Sequence, residues 1–355
     1  MKQYSSKERV ILAYNGRHAD RVPTDIQGLN IGHLPRDKSL QELATGSKKA
    51  AAGIIKAWEF VQQDIVTVGA LSLPMAQAAG NECDIDENGT LYSKKCILET
   101  KANLVKMSIP DPRQDAPLPF LLEICERVGS ELGNEAAVRG VVSLPWTVAM
   151  QMRGLERLIY DTADDPGFIH SVMRFCTDYT KGLGDAVIKA IGEGAVGLYA
   201  TDPSSGCSVI SPRVYREFVK PYQEEVVNHF KEKGIPVTFH ICGYIEPIIK
   251  DLISTGVDGV SIDEKTSLER MFEISQGKTL VLGNISPLLF ANGSKEEMET
   301  AVKECLEIAG GESKYILASG CAIPPGTPLE NIQSFIKAAG EYGRYDDSKL
   351  SQSES

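Results

Sequence analysis

Short apolar runs rich in β-branched residues recur along the chain, and each has the length of a single β-strand. Runs of this kind, bounded by turn residues, predict strands. Eight segments fit the pattern: Arg21–Ile26, Asp64–Val68, Ala137–Val142, Ala195–Thr201, Pro236–His240, Asp258–Asp263, Thr279–Asn284 and Lys314–Ala318.

Between most of these strands, apolar residues recur at three- and four-residue spacing, which predicts amphipathic helices. Leu155–Ile191 carries two of them, and others cover Pro212–Lys233, Ile245–Thr255, Glu296–Ala309 and Pro328–Tyr342. Strands that alternate with helices favour a parallel sheet. Eight such units predict an α/β fold closed into a (β/α)8 barrel, the TIM barrel.

One segment interrupts the alternation. Residues 73–112 follow the second strand, and Asn88-Gly89 between short strands within it predicts a β-hairpin. We interpret the segment as an insertion over one barrel end. It helps explain a chain of 355 residues, longer than the typical barrel of about 250. We expect one domain over residues 1–345 and a disordered tail over residues 346–355.

Charge and cysteine content narrow the classes of partner. The formal net charge is −11 and the pI is about 5.1, which disfavours binding to nucleic acid or to anionic membranes. The first ten residues contain no apolar segment of the kind found in signal peptides. Eight cysteines spread along a long chain do not form a disulfide scaffold, so we expect a reduced, cytoplasmic protein.

Three potential metal ligands fall at predicted strand ends. His240 and Cys242 are two residues apart, and this spacing on an extended chain points both side chains the same way. Cys321 follows the last predicted strand. The carboxyl ends of barrel strands form the active-site face, so the three side chains are expected to meet there. One histidine and two cysteines make a zinc site with a fourth position open, as in catalytic sites.

An alternative reading needs no metal. A histidine at a strand end is often a hydrogen-bonded structural residue, and a free cysteine usually behaves as a small hydrophobe. The spacing alone leaves both readings open. The positions at strand ends, each beside a glycine, favour the metal. Two thiolates and a neutral imidazole would cancel the charge of Zn²⁺, and a thiol entering the fourth position would lose its proton and stay nucleophilic.

Two polar residues at other strand ends are candidate site residues. Asp202 could orient a substrate or act as a base, or it could form a turn before Pro203, and both readings stay open. The position of Asn284 favours contact with a substrate over a role in its loop. Gly192–Gly197 matches G-x-G-x-x-G, but it follows a helix and opens a strand, so it predicts a turn and no dinucleotide site.

The run Val237–Gly243, followed far along the chain by Gly320-Cys321 before a proline-rich segment, carries a family resemblance. It resembles the corrinoid-dependent methyltransferases of the uroporphyrinogen decarboxylase superfamily, and most closely their methylcobamide:coenzyme M branch. Asp20–Pro23, Ser211–Arg213 and Gly283–Ser286 are also similar to segments of this family, so the likeness covers most of the chain.

The resemblance implies a zinc-dependent methyltransferase of one-carbon metabolism. Zinc would be held by His240, Cys242 and Cys321, with the fourth position taken by a substrate thiol or by Glu264 or Asp263. A thiolate on the zinc would take the methyl group from a corrinoid (cobalamin) on a separate partner protein. The acceptor would be a thiol such as coenzyme M.

Three other functions are kept as alternatives. The methyl group could move in the opposite direction, with this protein as the demethylase component that transfers it from a small donor to the corrinoid protein. It could be a uroporphyrinogen decarboxylase, although that branch has an arginine-rich segment where this chain has Gln27–Gly32. It could also be a non-catalytic barrel with a structural zinc.

Overall fold

The computed structural model describes residues 4–29, 46–85 and 91–346. Eight parallel strands form one sheet in the order β1-β10-β9-β8-β7-β6-β5-β2. All eight predicted strands are present, so the predicted TIM barrel is confirmed. The barrel strands are β1 Thr24–Asp25, β2 Ile65–Ala70, β5 Ala137–Ser143, β6 Ala195–Thr201, β7 Val237–Ile241, β8 Gly259–Ile262, β9 Leu280–Ile285 and β10 Tyr315–Ser319.

Helices cover the outside of the sheet, which explains why most strand residues are buried on both faces. They are α1 Ser6–Tyr14, α2 Ser47–Val61, α3 Ser72–Ala78, α4 Leu118–Leu132, α5 Pro145–Arg153, α6 Leu155–Asp164, α7 Pro166–Ile191, α8 Pro212–Val214, α9 Lys220–Lys231, α10 Ile249–Ser254, α11 Leu268–Ser275, α12 Pro287–Asn292, α13 Lys295–Ala309 and α14 Leu329–Tyr342. A π-helical turn, Tyr215–Val219, joins α8 to α9. Short 3-10 turns lie at Ile97–Glu99, Lys101–Lys106, Gly192–Gly194, Pro203–Ser205 and Glu246–Ile248. None of the helices in the described ranges has the length and apolar character that a membrane span requires.

The insertion after β2 contains the predicted hairpin. It pairs β3 Glu82–Ile85 with β4 Leu91–Lys95 in antiparallel register. Asn81 ties the hairpin down, since its side-chain amide donates to Ser93 Oγ at 2.9 Å and to the carbonyl of Gln151 in α5 at 2.8 Å. The turn itself, with Asn88-Gly89, lies outside the described residues, as does the predicted tail beyond residue 346. The single domain over residues 1–345 stays a prediction.

The barrel closes where β1 meets β2, at the two ends of the strand order. The Asp64 amide donates to the Thr24 carbonyl across this seam at 3.1 Å. The Asp64 side chain is fully buried there and accepts hydrogen bonds from Thr24, Arg9 and Arg21. A carboxylate between two strands and two arginines therefore joins the first and second strands.

Candidate metal centre

The three predicted ligands meet at the carboxyl ends of β7 and β10. His240 lies in β7, Cys242 follows that strand by one residue, and Cys321 follows β10 by two. Nε2 of His240 lies 3.3 Å from Sγ of Cys242, which lies 3.6 Å from Sγ of Cys321. All three ligand atoms are within 4.8 Å of one another. The predicted convergence of the three side chains is confirmed. We call them the ligand trio.

The spacing of these atoms fits a zinc ion. Zn–S bonds of about 2.3 Å and Zn–N bonds of about 2.0–2.1 Å at tetrahedral angles separate two sulfurs by about 3.8 Å and a nitrogen from a sulfur by about 3.6 Å. The distances of 3.3 Å between Nε2 and Sγ and 3.6 Å between the two Sγ atoms are close to these values. Two sulfurs and an imidazole are also the donor types that zinc prefers. Among the described residues, no other group of three histidine, cysteine or acidic side chains could share an ion.

Glycines allow the close approach that brings the trio together. A Cβ at Gly206 would lie 2.5 Å from the carbonyl oxygen of Cys242, and a Cβ at Gly320 would lie 2.8 Å from the backbone nitrogen of Glu264. Gly243, next to Cys242, has a φ of +78°, which side chains other than glycine rarely adopt. The glycines beside the cysteines are therefore required by the local geometry.

Side chains inside the barrel hold the imidazole of His240. Its Nδ1 lies 3.2 Å from the hydroxyl of Ser261 in β8, and its ring stacks on Tyr199 with centroids 5.9 Å apart. Tyr199 Oη and Gln27 Nε2 each lie 3.0 Å from the same Ser261 hydroxyl. With Nδ1 engaged in this way, Nε2 faces the sulfurs. Sequence reasoning missed this support, although Ser261 and Tyr199 are polar residues within otherwise apolar strands.

Electrostatics favour a thiolate at Cys321 and a thiol at Cys242. The pKa of the Cys321 thiol is lowered because Cys242 donates a hydrogen bond to its sulfur and because His240 lies beside it. The pKa of Cys242 is raised because its thiol proton is held in the hydrogen bond to Cys321, and burial raises it further. The lowered pKa of Cys321 favours its thiolate, which is the form in which a cysteine binds a metal.

The predicted acidic residues follow β8 beside the trio. Asp263 is mostly buried and accepts from the backbone amide of Lys265 at 3.0 Å. Burial and a hydrogen bond with Asp263 raise the pKa of Glu264. The group of described ligand atoms within 4.8 Å comprises the trio alone, so contact of either carboxylate with a metal stays a prediction.

The remaining predicted site residues contact the protein itself. Asp202 is fully buried, and its carboxylate accepts from the amide and hydroxyl of Thr147 and from the side chain of Gln223. Burial raises its pKa to about 6. These contacts tie the Asp202 carboxylate to α5 and α9, and its role in a substrate site stays a prediction. The Asn284 amide donates to the carbonyls of Asp263 at 3.3 Å and Thr266 at 2.8 Å, so it fixes the acidic loop.

A cavity of about 380 Å³ opens beside the trio. Its walls are largely apolar, with a few polar side chains from the barrel interior, which is the usual character of a small-molecule site. The lining includes all three members of the trio together with Gln27, Ile54, Trp58, Val66, Thr67, Leu71, Arg139, Val141 and Tyr199.

Comparisons with known proteins agree with this architecture. A uroporphyrinogen decarboxylase (URO-D) family model matches residues 5–342. The chain is 22% identical over 354 residues to methylcobamide:CoM methyltransferase MtbA of Methanosarcina acetivorans, covering 96% of this chain and 99% of that one. It is 30% identical over 262 residues to a uroporphyrinogen decarboxylase of Prochlorococcus marinus, covering 68% and 72%.

A solved structure shares the fold. A methyltransferase from Methanosarcina mazei superposes with a TM-score of 0.84 at 22% identity, over 96% of this chain and 99% of that one. The barrel described above therefore has a fold that a known protein shares. Because the family model spans almost the whole chain, the protein belongs to the uroporphyrinogen decarboxylase family.

Proposed function

We propose that this protein transfers a methyl group between a corrinoid, carried by a separate protein, and a thiol such as coenzyme M, with zinc held by His240, Cys242 and Cys321. The observation that carries the proposal is the convergence of these three soft ligands beside an open cavity. The methyltransferase relative that matches this chain over nearly its full length supports the same reaction class.

Each residue of the site has a distinct task in this proposal. When bound, zinc would deprotonate an incoming thiol and keep its sulfur nucleophilic. Cys242 and Cys321 supply negative charge, and Ser261 holds His240 in the orientation that turns Nε2 toward them. The apolar cavity wall limits the access of water to the reacting sulfur.

The acidic loop supplies proton acceptors at the edge of the site. Glu264 and Asp263 would take the thiol proton, or would occupy the fourth position when no thiol is bound. Asn284 holds their loop through two backbone carbonyls. Asp202 would act at a distance, by fixing the start of α5 through Thr147.

Decarboxylation is less well supported by the cavity. A porphyrin with many carboxylates requires several cations, most often arginines. Among the described lining residues, Arg139 is the single arginine and there is no lysine. Residues 30–45, which follow the first strand, lie outside the described ranges.

Metal analysis and a methyl-transfer assay test the proposal together. We expect stoichiometric zinc in the purified protein, and demethylation of methylcobalamin with thiols but not with tetrahydrofolate. Cys321→Ala should lose the zinc and at least about a hundredfold of the rate, since a metal contributes several kcal/mol to such steps. Cys83→Ala, in the hairpin and outside the trio, is the matched control and should keep both.

The possible outcomes separate the alternatives. Full activity of zinc-free protein would falsify the zinc mechanism. Transfer from a methylated donor to Co(I) cobalamin, with no activity toward free thiols, would show the demethylase direction instead. Turnover of uroporphyrinogen without metal would assign the chain to the decarboxylase branch.

A further inference from the structure

The cavity beside the trio reaches from the strand ends into the barrel interior. Cys242 and Cys321 line it at the strand ends, and Arg139 lines it from β5. Arg139 is the third residue of a seven-residue strand and therefore lies deeper in the barrel than the cysteines. A molecule that reaches both places must extend along the barrel axis.

The cavity is large for a short thiol. Its volume is about 380 Å³, whereas a cavity of about 150 Å³ already holds benzene. Trp58, Val66 and Val141 are buried and line it, and Ile54 and Leu71 complete the apolar wall. The space fits a six-membered ring or a hydrocarbon chain of similar size with a substituent.

Arg139 is held rigidly and has one donor nitrogen left over. Its Nη2 donates to Asp25 at 2.6 Å, its Nε donates to Thr67 at 2.9 Å, and its guanidinium lies 3.8 Å from the ring centroid of Tyr199. The side chain is 2% exposed, and Nη1 has no hydrogen-bond partner among the described residues. Buried donors are nearly always satisfied, so an acceptor is expected to reach Nη1.

We propose that the small molecule that reacts at the trio has an apolar body and a terminal acceptor oxygen bound by Arg139. Its heteroatom would face the trio, its body would lie against Trp58, Val66 and Val141, and the oxygen would accept from Nη1. The role of the heteroatom rests on the proposed methyl transfer. The contacts of the body and the oxygen do not depend on it.

A series of thiols tests the body and the oxygen separately. The protein loaded with Co²⁺ reports thiol binding through the thiolate-to-cobalt absorption band, without any turnover. The series comprises benzyl mercaptan, 4-(mercaptomethyl)benzoate, 4-(mercaptomethyl)benzamide and 2-mercaptoethanesulfonate. We expect the benzoate or the benzamide to bind at least about tenfold more tightly than benzyl mercaptan, as for one hydrogen bond from a charged donor. The ring thiols with an acceptor should also bind more tightly than the two-carbon sulfonate, which is coenzyme M itself, because so short a thiol leaves most of the cavity unfilled. The thiol class of the proposed function is kept, and coenzyme M is then not its best-fitting member.

Two arginine variants locate the effect. Arg139→Lys keeps a cation beside Asp25 but removes Nη1, so the advantage of the benzoate and benzamide should disappear while benzyl mercaptan keeps its affinity. Arg153→Lys is the matched control. Arg153 is also buried and donates to an aspartate, Asp161, at 2.8 Å, but it does not line the cavity. Thermal unfolding of both variants identifies any loss of folding.

The outcomes distinguish this proposal from the proposed function. Equal affinity for benzyl mercaptan, the benzoate and the benzamide, or an advantage that survives Arg139→Lys, would overturn it. Tighter binding of the two-carbon sulfonate than of every ring thiol would overturn the apolar body. Calorimetry of the metal-free protein with 4-methylbenzoate measures how tightly the apolar body and the oxygen bind when no metal is present. Binding there that is lost in Arg139→Lys supports the proposal even if zinc proves absent, and equal heats in both proteins contradict it.

Discussion

At the scale of single residues, the orientation of His240 depends on a hydroxyl group. Ser261 lies between Nδ1 of His240, Tyr199 and Gln27, all three within 3.2 Å. A metal-binding histidine usually bonds through its second nitrogen to a neighbouring polar group, which fixes the ring and its tautomer. Ser261 would therefore position His240 for a metal without binding the metal itself.

Removal of this hydroxyl should weaken zinc binding more than it weakens the fold. We expect Ser261→Ala to lower zinc affinity by about 10- to 100-fold, the range seen when outer contacts of metal ligands are removed. Competition with a chromophoric chelator measures the affinity. Ser254→Ala, an exposed serine at the end of α10, is the control and should match the unmodified protein. Equal affinities in Ser261→Ala and the control would contradict the role assigned to Ser261.

At the scale of elements, the strand ends bring the trio together because a glycine precedes Cys321. Gly320 brings the end of β10 against the loop that follows β8. A Cβ there would lie 2.8 Å from the backbone nitrogen of Glu264, and a backbone atom cannot rotate away as a side chain can. The loop with Glu264 and the segment with Cys321 must therefore move apart if the glycine is replaced.

Gly320→Ala should accordingly separate the trio. We expect a destabilisation of about 1–3 kcal/mol, as for overpacking, together with a clear loss of zinc affinity. Gly340→Ala is the control, since a Cβ at this position in α14 meets nothing within 4 Å. Alanine is more favourable than glycine within a helix by about 1 kcal/mol, so this variant should lose neither stability nor zinc affinity. Urea unfolding and zinc titration of both variants measure the two effects. Normal zinc binding by Gly320→Ala would show that the loop adjusts without moving Cys321.

The same elements show how far sequence reasoning reaches. The eight strands were predictable because buried parallel strands are short, continuous apolar runs, and Ala195–Thr201 matches β6 at both ends. The trio was predictable because parallel strands place their carboxyl ends together. The contacts of Ser261 and Arg139 were not predictable, since they depend on which residues of different strands share a layer inside the barrel. Asp202 shows the same limit, because the sequence around a carboxylate at a strand end does not reveal whether the carboxylate faces a substrate or a helix.

At the scale of the whole molecule, the barrel is closed by an ionic cluster that no local pattern reveals. Asp64 accepts from Arg21 at 2.7 Å, from Arg9 at 3.1 Å and from the amide of Thr24 at 2.8 Å. Arg9 lies in α1, Thr24 in β1 and Arg21 in the segment just before β1, while Asp64 immediately precedes β2. These two strands form the ends of the sheet order. The cluster therefore joins the first and second strands and keeps closed the barrel whose strand ends carry the trio.

Asp64→Asn should weaken the fold of the whole barrel. It leaves two arginines beside a neutral amide, and breaking one side of a buried ion pair costs about 3–5 kcal/mol. Burial opposes ionisation of Asp64, but Arg21 and Arg9 outweigh it and hold the pKa of this carboxyl below its usual value. A lowered pKa stabilises the folded state above the unfolded value of about 3.9, and this contribution is lost as the pH falls through the folded value. The difference in unfolding free energy between the metal-free protein and Asp64→Asn should thus be largest near neutral pH and shrink below about pH 4.

Asp20→Asn, which removes a more exposed carboxylate from the same Arg9, should cost less at every pH. Urea unfolding at several pH values compares the three proteins, and a difference that stays constant on acidification would mean that the charge of Asp64 does not hold the seam together.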